Sequence, residues 1–119
     1  MDSLGNIRIL IVEDEYMLAK GLMRELQDLG AVVIGPEPTI AGALTRIADE
    51  AEVDIAILDV NLGGEISFPV AEALIARDIP FIFSSGYEDA ITQERYPSVV
   101  KCDKPYVMTR MIKAIKSVI

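Results

Sequence analysis

The stretch IRILIVEDEY, Ile7 to Tyr16, decides the fold of this chain. Five of the six residues from Ile7 to Val12 are aliphatic, and polar residues do not alternate with them. Such short apolar runs are typical of parallel strands that are covered by helices on both faces. Directly after the run come three acids, Glu13, Asp14 and Glu15. The stretch predicts a buried strand whose carboxyl end carries concentrated negative charge.

Similar apolar runs recur along the chain and alternate with stretches of helical periodicity. The predicted strands are Ile7–Val12, Ala31–Ile34, Ile55–Leu58, Pro80–Ser84 and Val99–Cys102. The spacing of apolar residues predicts helices at Tyr16–Leu29, Thr39–Glu50, Pro69–Arg77 and Val107–Val118. This alternation predicts one domain over residues 1–119, an α/β fold with a doubly wound parallel sheet and right-handed crossovers.

The segment GYEDAITQERYPSV, between Ser85 and Val99, is the weakest element of the pattern. It holds about eight residues of helical periodicity before Pro97, which is marginal for a helix on its own. We expect a short or mobile fourth helix here.

Composition excludes several classes of function. The formal net charge of −8 argues against nucleic acid or an anionic membrane as a partner. The single cysteine, Cys102, excludes an internal disulfide and indicates a reducing compartment, so we expect a cytoplasmic protein. The chain has no histidine, which excludes triads and zinc sites that use imidazole.

Chemically useful side chains follow several of the predicted strands. In doubly wound sheets the carboxyl ends of the strands form one edge, where ligands bind. Carboxylates gathered there repel each other unless a cation neutralises them, and oxygen ligands suit Mg²⁺ or Mn²⁺. A metal, a lysine and a hydroxyl around one aspartate are what an aspartyl phosphate requires. The strand ends supply Glu13, Asp14, Asp59, Asn61, Ser84, Ser85 and Lys104.

Four motifs in this chain, ILIVEDE, ILDVNLGGE, FSSGY and DKP, together resemble the receiver domain of bacterial two-component response regulators. The resemblance covers essentially the whole chain. It implies a CheY-like single receiver domain over residues 1–119, with a flavodoxin-like sheet of five strands in the order 2-1-3-4-5.

The resemblance implies a Mg²⁺ site, with Mn²⁺ as an alternative. Glu13 and Asp14 match the acidic pair that binds the metal in receivers, together with Asp59 and the main-chain carbonyl of Asn61. Glu15 falls outside this pair. We expect it to cap the first helix or to adjust the local field, because acids near a helix N-terminus are favoured.

The resemblance also assigns the phosphoryl chemistry. Asp59 matches the phosphoacceptor, Ser85 the switch hydroxyl and Lys104 the lysine that pairs with the phosphoryl group. The peptide bond between Lys104 and Pro105 is cis in most such domains.

Two features depart from the common receiver pattern. Lys101 stands where many receivers have an aromatic switch residue, and we expect it to point to solvent or to contact a partner kinase. FSSGY resembles the FATGUY motif of a subgroup of mostly stand-alone receivers, which also lacks that aromatic residue. Tyr87, the last residue of FSSGY, is interpreted either as a shield that slows hydrolysis or as a residue that packs against the fourth helix.

The sequence thus predicts a phosphorylatable signalling switch that is not an enzyme toward other substrates. The resemblance implies a phosphohistidine donor on a sensor histidine kinase or a histidine phosphotransfer protein, and a downstream protein as a further partner. A stand-alone receiver of this kind acts as a shuttle, a phosphate sink or a kinase regulator, and we expect a monomer or a weak dimer.

Three alternatives compete with this prediction. A haloacid-dehalogenase-like phosphatase needs an aspartate where Asn61 stands. A nucleotide- or flavin-binding module needs a glycine-rich first turn, and VEDEYM has acids there instead. A receiver-like binding domain that is never phosphorylated would have no use for the complete set of site residues.

Overall fold

Strands and helices alternate along almost the whole chain in a computed structural model that describes residues 4–86 and 89–119. Within these residues, no helix combines the length and the apolar character that crossing a membrane demands. The strands are β1 (Arg8–Val12), β2 (Val32–Glu37), β3 (Ile55–Asp59), β4 (Asn61–Leu62), β5 (Glu65–Ile66), β6 (Phe81–Ser85) and β7 (Lys101–Asp103). The helices are α1 (Tyr16–Asp28), α2 (Ile40–Asp49), α3 (Phe68–Ala76), α4 (Asp89–Arg95) and α5 (Met108–Val118).

Five of the strands form one sheet in the order β2-β1-β3-β6-β7, and every neighbouring pair in it is parallel. When only these strands are numbered, this is the order 2-1-3-4-5 of a flavodoxin-like fold. The sheet confirms the predicted fold class and puts β1 next to β3 near its centre. The carboxyl ends of β1, β3 and β6 consequently lie side by side.

Both faces of the sheet are covered, and this explains the lack of polar alternation in β1. Ile9 and Ile11 pack on the side of α1 and α5, whereas Leu10 and Val12 pack on the side of α2 and α3. All four side chains are almost completely buried. Burial of each contributes about 1.5–3 kcal/mol, so β1 is fixed in place from two sides.

Strand β2 continues beyond its predicted end at Ile34, through Gly35 and Pro36 to Glu37. Gly35 has a φ of +91°, and a Cβ atom there would lie 3.0 Å from the main-chain oxygen of Ile11. The strand passes close to β1 at this point, which only a glycine permits. A Gly-Pro pair usually indicates a turn, and this is why the sequence pattern predicted an earlier end.

Helix α4 has seven residues, which confirms that the fourth helix is short. Its carboxyl end packs on an aromatic cluster that consists of Phe68, Phe81, Phe83 and Tyr96. The ring centroids in this cluster are 5.0 to 6.4 Å apart and mostly tilted or edge-on. The Tyr96 hydroxyl donates a hydrogen bond to Glu72 of α3, so rings and one polar contact join α3 to the end of α4.

A small antiparallel hairpin, β4–β5, follows β3 directly and was not predicted. Its turn is formed by Gly63 and Gly64, both of which have positive φ angles. Two glycines with positive φ are typical of the tight turns that close hairpins. The hairpin brings main-chain N–H groups back toward the end of β3.

Candidate functional site

Predicted site residues from three separate strands meet at the carboxyl edge of the sheet. Glu13 follows β1, Asp59 ends β3 and Lys104 follows β7. The Lys104 Nζ atom lies 2.8 Å from Asp59 Oδ2 and 3.0 Å from Glu13 Oε1. Both carboxylates are buried, with 2% and 5% of the surface of Glu13 and Asp59 exposed. One ammonium group thus bridges two buried acids.

Asp14 completes an acidic group that fits a divalent cation. One carboxylate oxygen from each of Glu13, Asp14 and Asp59 lies within 4.8 Å of the others. Asp14 is exposed, and its Oδ2 accepts a hydrogen bond of 2.9 Å from the N–H of Gly63. Hard cations such as Mg²⁺ prefer oxygen ligands of this kind and keep part of their water, which an exposed ligand allows.

The β4–β5 hairpin and the start of α3 hold Asp59 in place. The Asn61 N–H donates to Asp59 Oδ1 at 3.2 Å, and the Ser67 hydroxyl donates to the Asp59 main-chain oxygen at 2.5 Å. The side-chain oxygen of Asn61 accepts from the Gly64 N–H at 2.8 Å and so fixes the turn. The predicted metal-binding role of the Asn61 carbonyl stays a prediction.

The surroundings of Asp59 make its ionised form less favourable than it is in water. Burial, followed by the nearby Glu13 carboxylate, raises the pKa of Asp59 to about 7 in spite of the Lys104 ammonium. Burial alone would lower the pKa of Lys104, but its hydrogen bonds to Asp59 and Glu13 outweigh this effect and raise it. The site therefore holds a charged lysine between acids that repel each other.

Asp14 behaves differently from Asp59 because it is exposed and well hydrogen-bonded. Its slight burial acts to raise its pKa, but the Gly63 N–H and the Glu13 side chain outweigh this and lower it. Asp14 is thus negatively charged and open to an incoming cation.

Ser85 ends β6 and is buried beside the site. Its main-chain oxygen accepts a hydrogen bond of 3.0 Å from the Lys104 N–H, which ties the lysine loop to β6. The Lys104–Pro105 peptide bond is cis. The predicted switch role of the Ser85 hydroxyl stays a prediction, and Tyr87 lies outside the described residues.

The expectation that Lys101 points to solvent needs correction, and the expectation for Glu15 is met only in part, because its effect on the local field stays a prediction. Lys101 is half-buried, and its Nζ donates to the main-chain oxygen of Val99 at 3.2 Å, so it does not simply point to solvent. Glu15 occupies the N-cap position of α1, but its side chain makes no capping hydrogen bond within the described part of the chain. Instead, the Glu15 N–H donates to Glu13 Oε2 at 3.2 Å.

Tyr106 is the site residue that the sequence pattern missed. Its hydroxyl lies 3.0 Å from Glu13 Oε1 and 2.8 Å from the Ser84 hydroxyl. Burial is the main cause that raises the pKa of Tyr106, and the negative charge of Glu13 adds to it, so this phenol stays protonated. The sequence feature that could have identified Tyr106 is its position, since it is an aromatic residue with a hydroxyl group that lies two residues after Lys104, at the same edge of the sheet as the acids.

Fold and site together define a class of protein, the flavodoxin-like α/β domain with an acidic, lysine-bridged site at the carboxyl edge of its sheet. No family model matches the sequence, and no curated protein matches it either. Solved structures do match.

The solution structure of SdrG from Sphingomonas melonis Fr1 is 46% identical, with a TM-score of 0.82 over 94% of this chain and 95% of that chain. The BeF3-activated conformation of SdrG from Pseudomonas melonis Fr1 is 45% identical, with a TM-score of 0.79 over 96% and 97% of the two chains. The REC domain of the PhyR response regulator from Erythrobacter litoralis is 25% identical, with a TM-score of 0.83 over 96% and 90%.

These similarities show that the chain belongs to the response regulator receiver domains. Membership of this family supports a role in phosphorelay signalling. It also implies interaction with histidine kinases or phosphotransfer proteins.

Proposed function

We propose that this chain is a phosphorylatable signalling switch in which Asp59 accepts a phosphoryl group from a phosphohistidine of a partner protein. The observation that carries the proposal is the Lys104 ammonium, which contacts both Asp59 and Glu13 at the edge where Asp14 is also present. Asp14 is a third carboxylate at this edge and faces solvent, which leaves it accessible to a cation. The partner is a sensor histidine kinase or a histidine phosphotransfer protein.

The reaction transfers the phosphoryl group from nitrogen to oxygen. A carboxylate oxygen of Asp59 forms a bond to phosphorus while the bond between phosphorus and the partner's imidazole nitrogen breaks. The electron pair of the broken bond stays on that nitrogen, and the imidazole leaves as a neutral ring if its other nitrogen carries a proton. The chain needs no histidine of its own for this step.

Glu13, Asp14 and Asp59 are the residues that would hold Mg²⁺ at this site. When bound, the cation supplies positive charge that offsets repulsion between the acids and the incoming phosphoryl group. Lys104 supplies a second positive charge to the phosphoryl oxygens, and the hydrogen bonds to Asp59 from Asn61 and Ser67 keep the acceptor oriented. Positioning and charge are the main contributions that such a site makes to phosphoryl transfer.

We further propose that phosphorylation changes the surface around β6 and the loop after β7. The added negative charge would recruit Lys104 and the Ser85 hydroxyl, and the Lys104 N–H is already bonded to the Ser85 main chain. The FSSGY motif and the lysine at position 101 support assignment to the FATGUY subgroup. In this proposal the chain works in the cytoplasm as a stand-alone shuttle, sink or kinase regulator.

Intact-mass measurement after incubation with a small phosphodonor tests the proposal. Wild type should gain one phosphoryl adduct in the presence of Mg²⁺ and none in the presence of a chelator. Asp59→Ala should gain none, whereas Asp49→Ala, which removes an exposed acid at the end of α2, should behave as wild type. Absence of an adduct on wild type would overturn the proposal. Steady turnover of a generic phosphate ester would indicate a phosphatase instead.

Beryllofluoride offers a second test, since SdrG was solved in a BeF3-activated conformation. We expect beryllofluoride with Mg²⁺ to shift the amide resonances of Ser85 and Lys104 in wild type but not in Asp59→Ala. Equal shifts in both proteins would contradict Asp59 as the acceptor.

A further inference from the structure

We propose that Tyr106 is a positioning residue for the metal ligand Glu13, and that Ser84 in turn holds Tyr106. This inference rests on the proposed function, because it concerns the same cation site. It adds Tyr106 and Ser84 to that site, and neither residue belongs to the acidic group of Glu13, Asp14 and Asp59.

Three donors surround the Glu13 carboxylate. Oε1 accepts from the Tyr106 hydroxyl at 3.0 Å and from Lys104 Nζ at 3.0 Å, and Oε2 accepts from the Glu15 N–H at 3.2 Å. A carboxylate has about four lone-pair positions, so these donors leave roughly one direction for a cation. The orientation of Glu13 is thereby restricted before any metal arrives.

Tyr106 differs from Lys104 in charge. Lys104 is shared with Asp59 and, in the proposed function, is needed by the phosphoryl group. The Tyr106 hydroxyl is neutral, so it orients the carboxylate without cancelling the negative charge that attracts a cation. It therefore keeps Glu13 in place when the lysine turns toward another partner.

The hydrogen bond between Tyr106 and Ser84 has one consistent direction. An ionised Glu13 carboxylate only accepts, so the Tyr106 O–H donates to it and the Ser84 O–H donates to the Tyr106 oxygen. Ser84 is fully buried in β6 and pairs in register with Asp59 of β3. The two hydroxyls therefore connect β6, the strand beside Asp59, to Glu13, which follows β1.

The alternative is that Tyr106 only packs its ring against the apolar cluster of α1 and α5, with which it is in contact. That role needs the ring and not the hydroxyl. Tyr106→Phe keeps the ring and removes the hydroxyl, so it separates the two roles. Tyr96→Phe is the matched control, because it removes a tyrosine hydroxyl that is bonded to Glu72, a carboxylate outside the acidic group.

The test is Mg²⁺ affinity, measured by calorimetric or NMR titration of the unphosphorylated protein. We expect Tyr106→Phe to weaken Mg²⁺ binding about tenfold, the low end of what loss of a partner of a metal ligand costs. Tyr96→Phe should bind as wild type. Ser84→Ala should weaken binding by about twofold to threefold and add little to Tyr106→Phe, because both changes act through one contact.

Equal Mg²⁺ affinity of wild type and Tyr106→Phe would overturn the inference and leave the proposed function untouched. Equal weakening by Tyr96→Phe and Tyr106→Phe would also overturn it. If wild type itself bound no Mg²⁺, the proposed function would fail together with the inference. If Tyr106→Phe did not fold, Ser84→Ala alone would decide. Unchanged Mg²⁺ affinity in that variant would contradict the role of the hydrogen bonds from Ser84 to Tyr106 and from Tyr106 to Glu13.

Discussion

Two regions of this molecule contain the same pair of groups, a tyrosine hydroxyl bonded to a glutamate. In the aromatic cluster, Tyr96 bonds Glu72, which is exposed, and rings make up the surroundings. At the acidic site, Tyr106 bonds Glu13, which is buried and also contacts Lys104. The first pair joins α3 to the residue that follows α4, whereas the second lies in the acidic group that could hold a cation. The two hydrogen bonds are of the same type, but only the one made by Tyr106 lies among buried charged groups.

The largest effect is expected from Phe83→Ala, which would break the aromatic cluster. Phe83 is fully buried and contacts the rings of Phe68, Phe81 and Tyr96. Removal of a buried phenylalanine ring costs about 3–5 kcal/mol in the free energy of unfolding. Chemical denaturation measures this loss, and Ile75→Ala, at an exposed position of α3, serves as the control. A loss below about 1 kcal/mol would contradict the importance of the cluster.

The next largest effect is expected at the acidic site from Lys104→Met, which keeps the stem and removes the charge. Loss of a positioned positive charge should slow formation of the phosphoryl adduct about 100-fold or more. Mg²⁺ binding should not weaken, because a competing cation has gone. Time-resolved intact-mass measurement gives the rate, and Lys101→Met is the matched control. An unchanged rate in Lys104→Met would show that the lysine is only structural.

A smaller effect is expected from Asp59→Asn on stability in the presence of a chelator. The pKa of Asp59 rises from 3.8 to about 7 on folding, so between these values the folded protein binds more protons than the unfolded chain. The free energy of unfolding therefore falls as the pH rises through this window. Asp59→Asn removes the titrating carboxyl group, so the free energy of unfolding no longer falls in this way. The substitution should therefore raise the melting temperature more at about pH 8 than at about pH 5. A similar pH-dependent gain from Asp49→Asn would contradict this assignment.

The smallest effect is expected from Tyr96→Phe, which tests whether the Tyr96 hydroxyl contributes to stability without affecting the acidic site. Its hydrogen bond reaches an exposed carboxylate, so its loss should cost about 0.5–1.5 kcal/mol in the free energy of unfolding. Rates of phosphoryl adduct formation should stay at the wild-type value. A tenfold slower rate would connect the aromatic cluster to the acidic site, contrary to the comparison.

Much of the fold could be predicted because β1 and its neighbours are buried on both faces. Strands that are buried on both faces appear in the sequence as unbroken aliphatic runs. The helical stretches between these runs then predict that the strands are parallel. Convergence of Glu13, Asp59 and Lys104 was predictable for the same reason, since parallel strands share one carboxyl edge. The boundaries were less accurate, as α1 ends at Asp28 and α3 begins at Phe68.

Other features could not be predicted, because their cause is tertiary. Strands of two residues, such as β4 and β5, are too short to show any periodicity. The continuation of β2 through Gly35 depends on close approach to β1, which no local pattern reports. Tyr106 reaches Glu13 across 93 residues of sequence, and its contact depends on the path of the loop before α5.

The distances along the chain at the acidic site have a consequence for the order of folding. Lys104 and Asp59 are 45 residues apart, and the Asp14 contact with Gly63 spans 49 residues. Contacts of such long range form late, because the intervening chain must first lose conformational freedom. The three acids come from the ends of β1 and β3, so they meet only after these two strands have paired, and Lys104 joins them when β7 docks at the edge of the sheet. We therefore expect a partly folded chain, in which β1 and β3 have not yet paired, to lack the arrangement of acids that a cation would require.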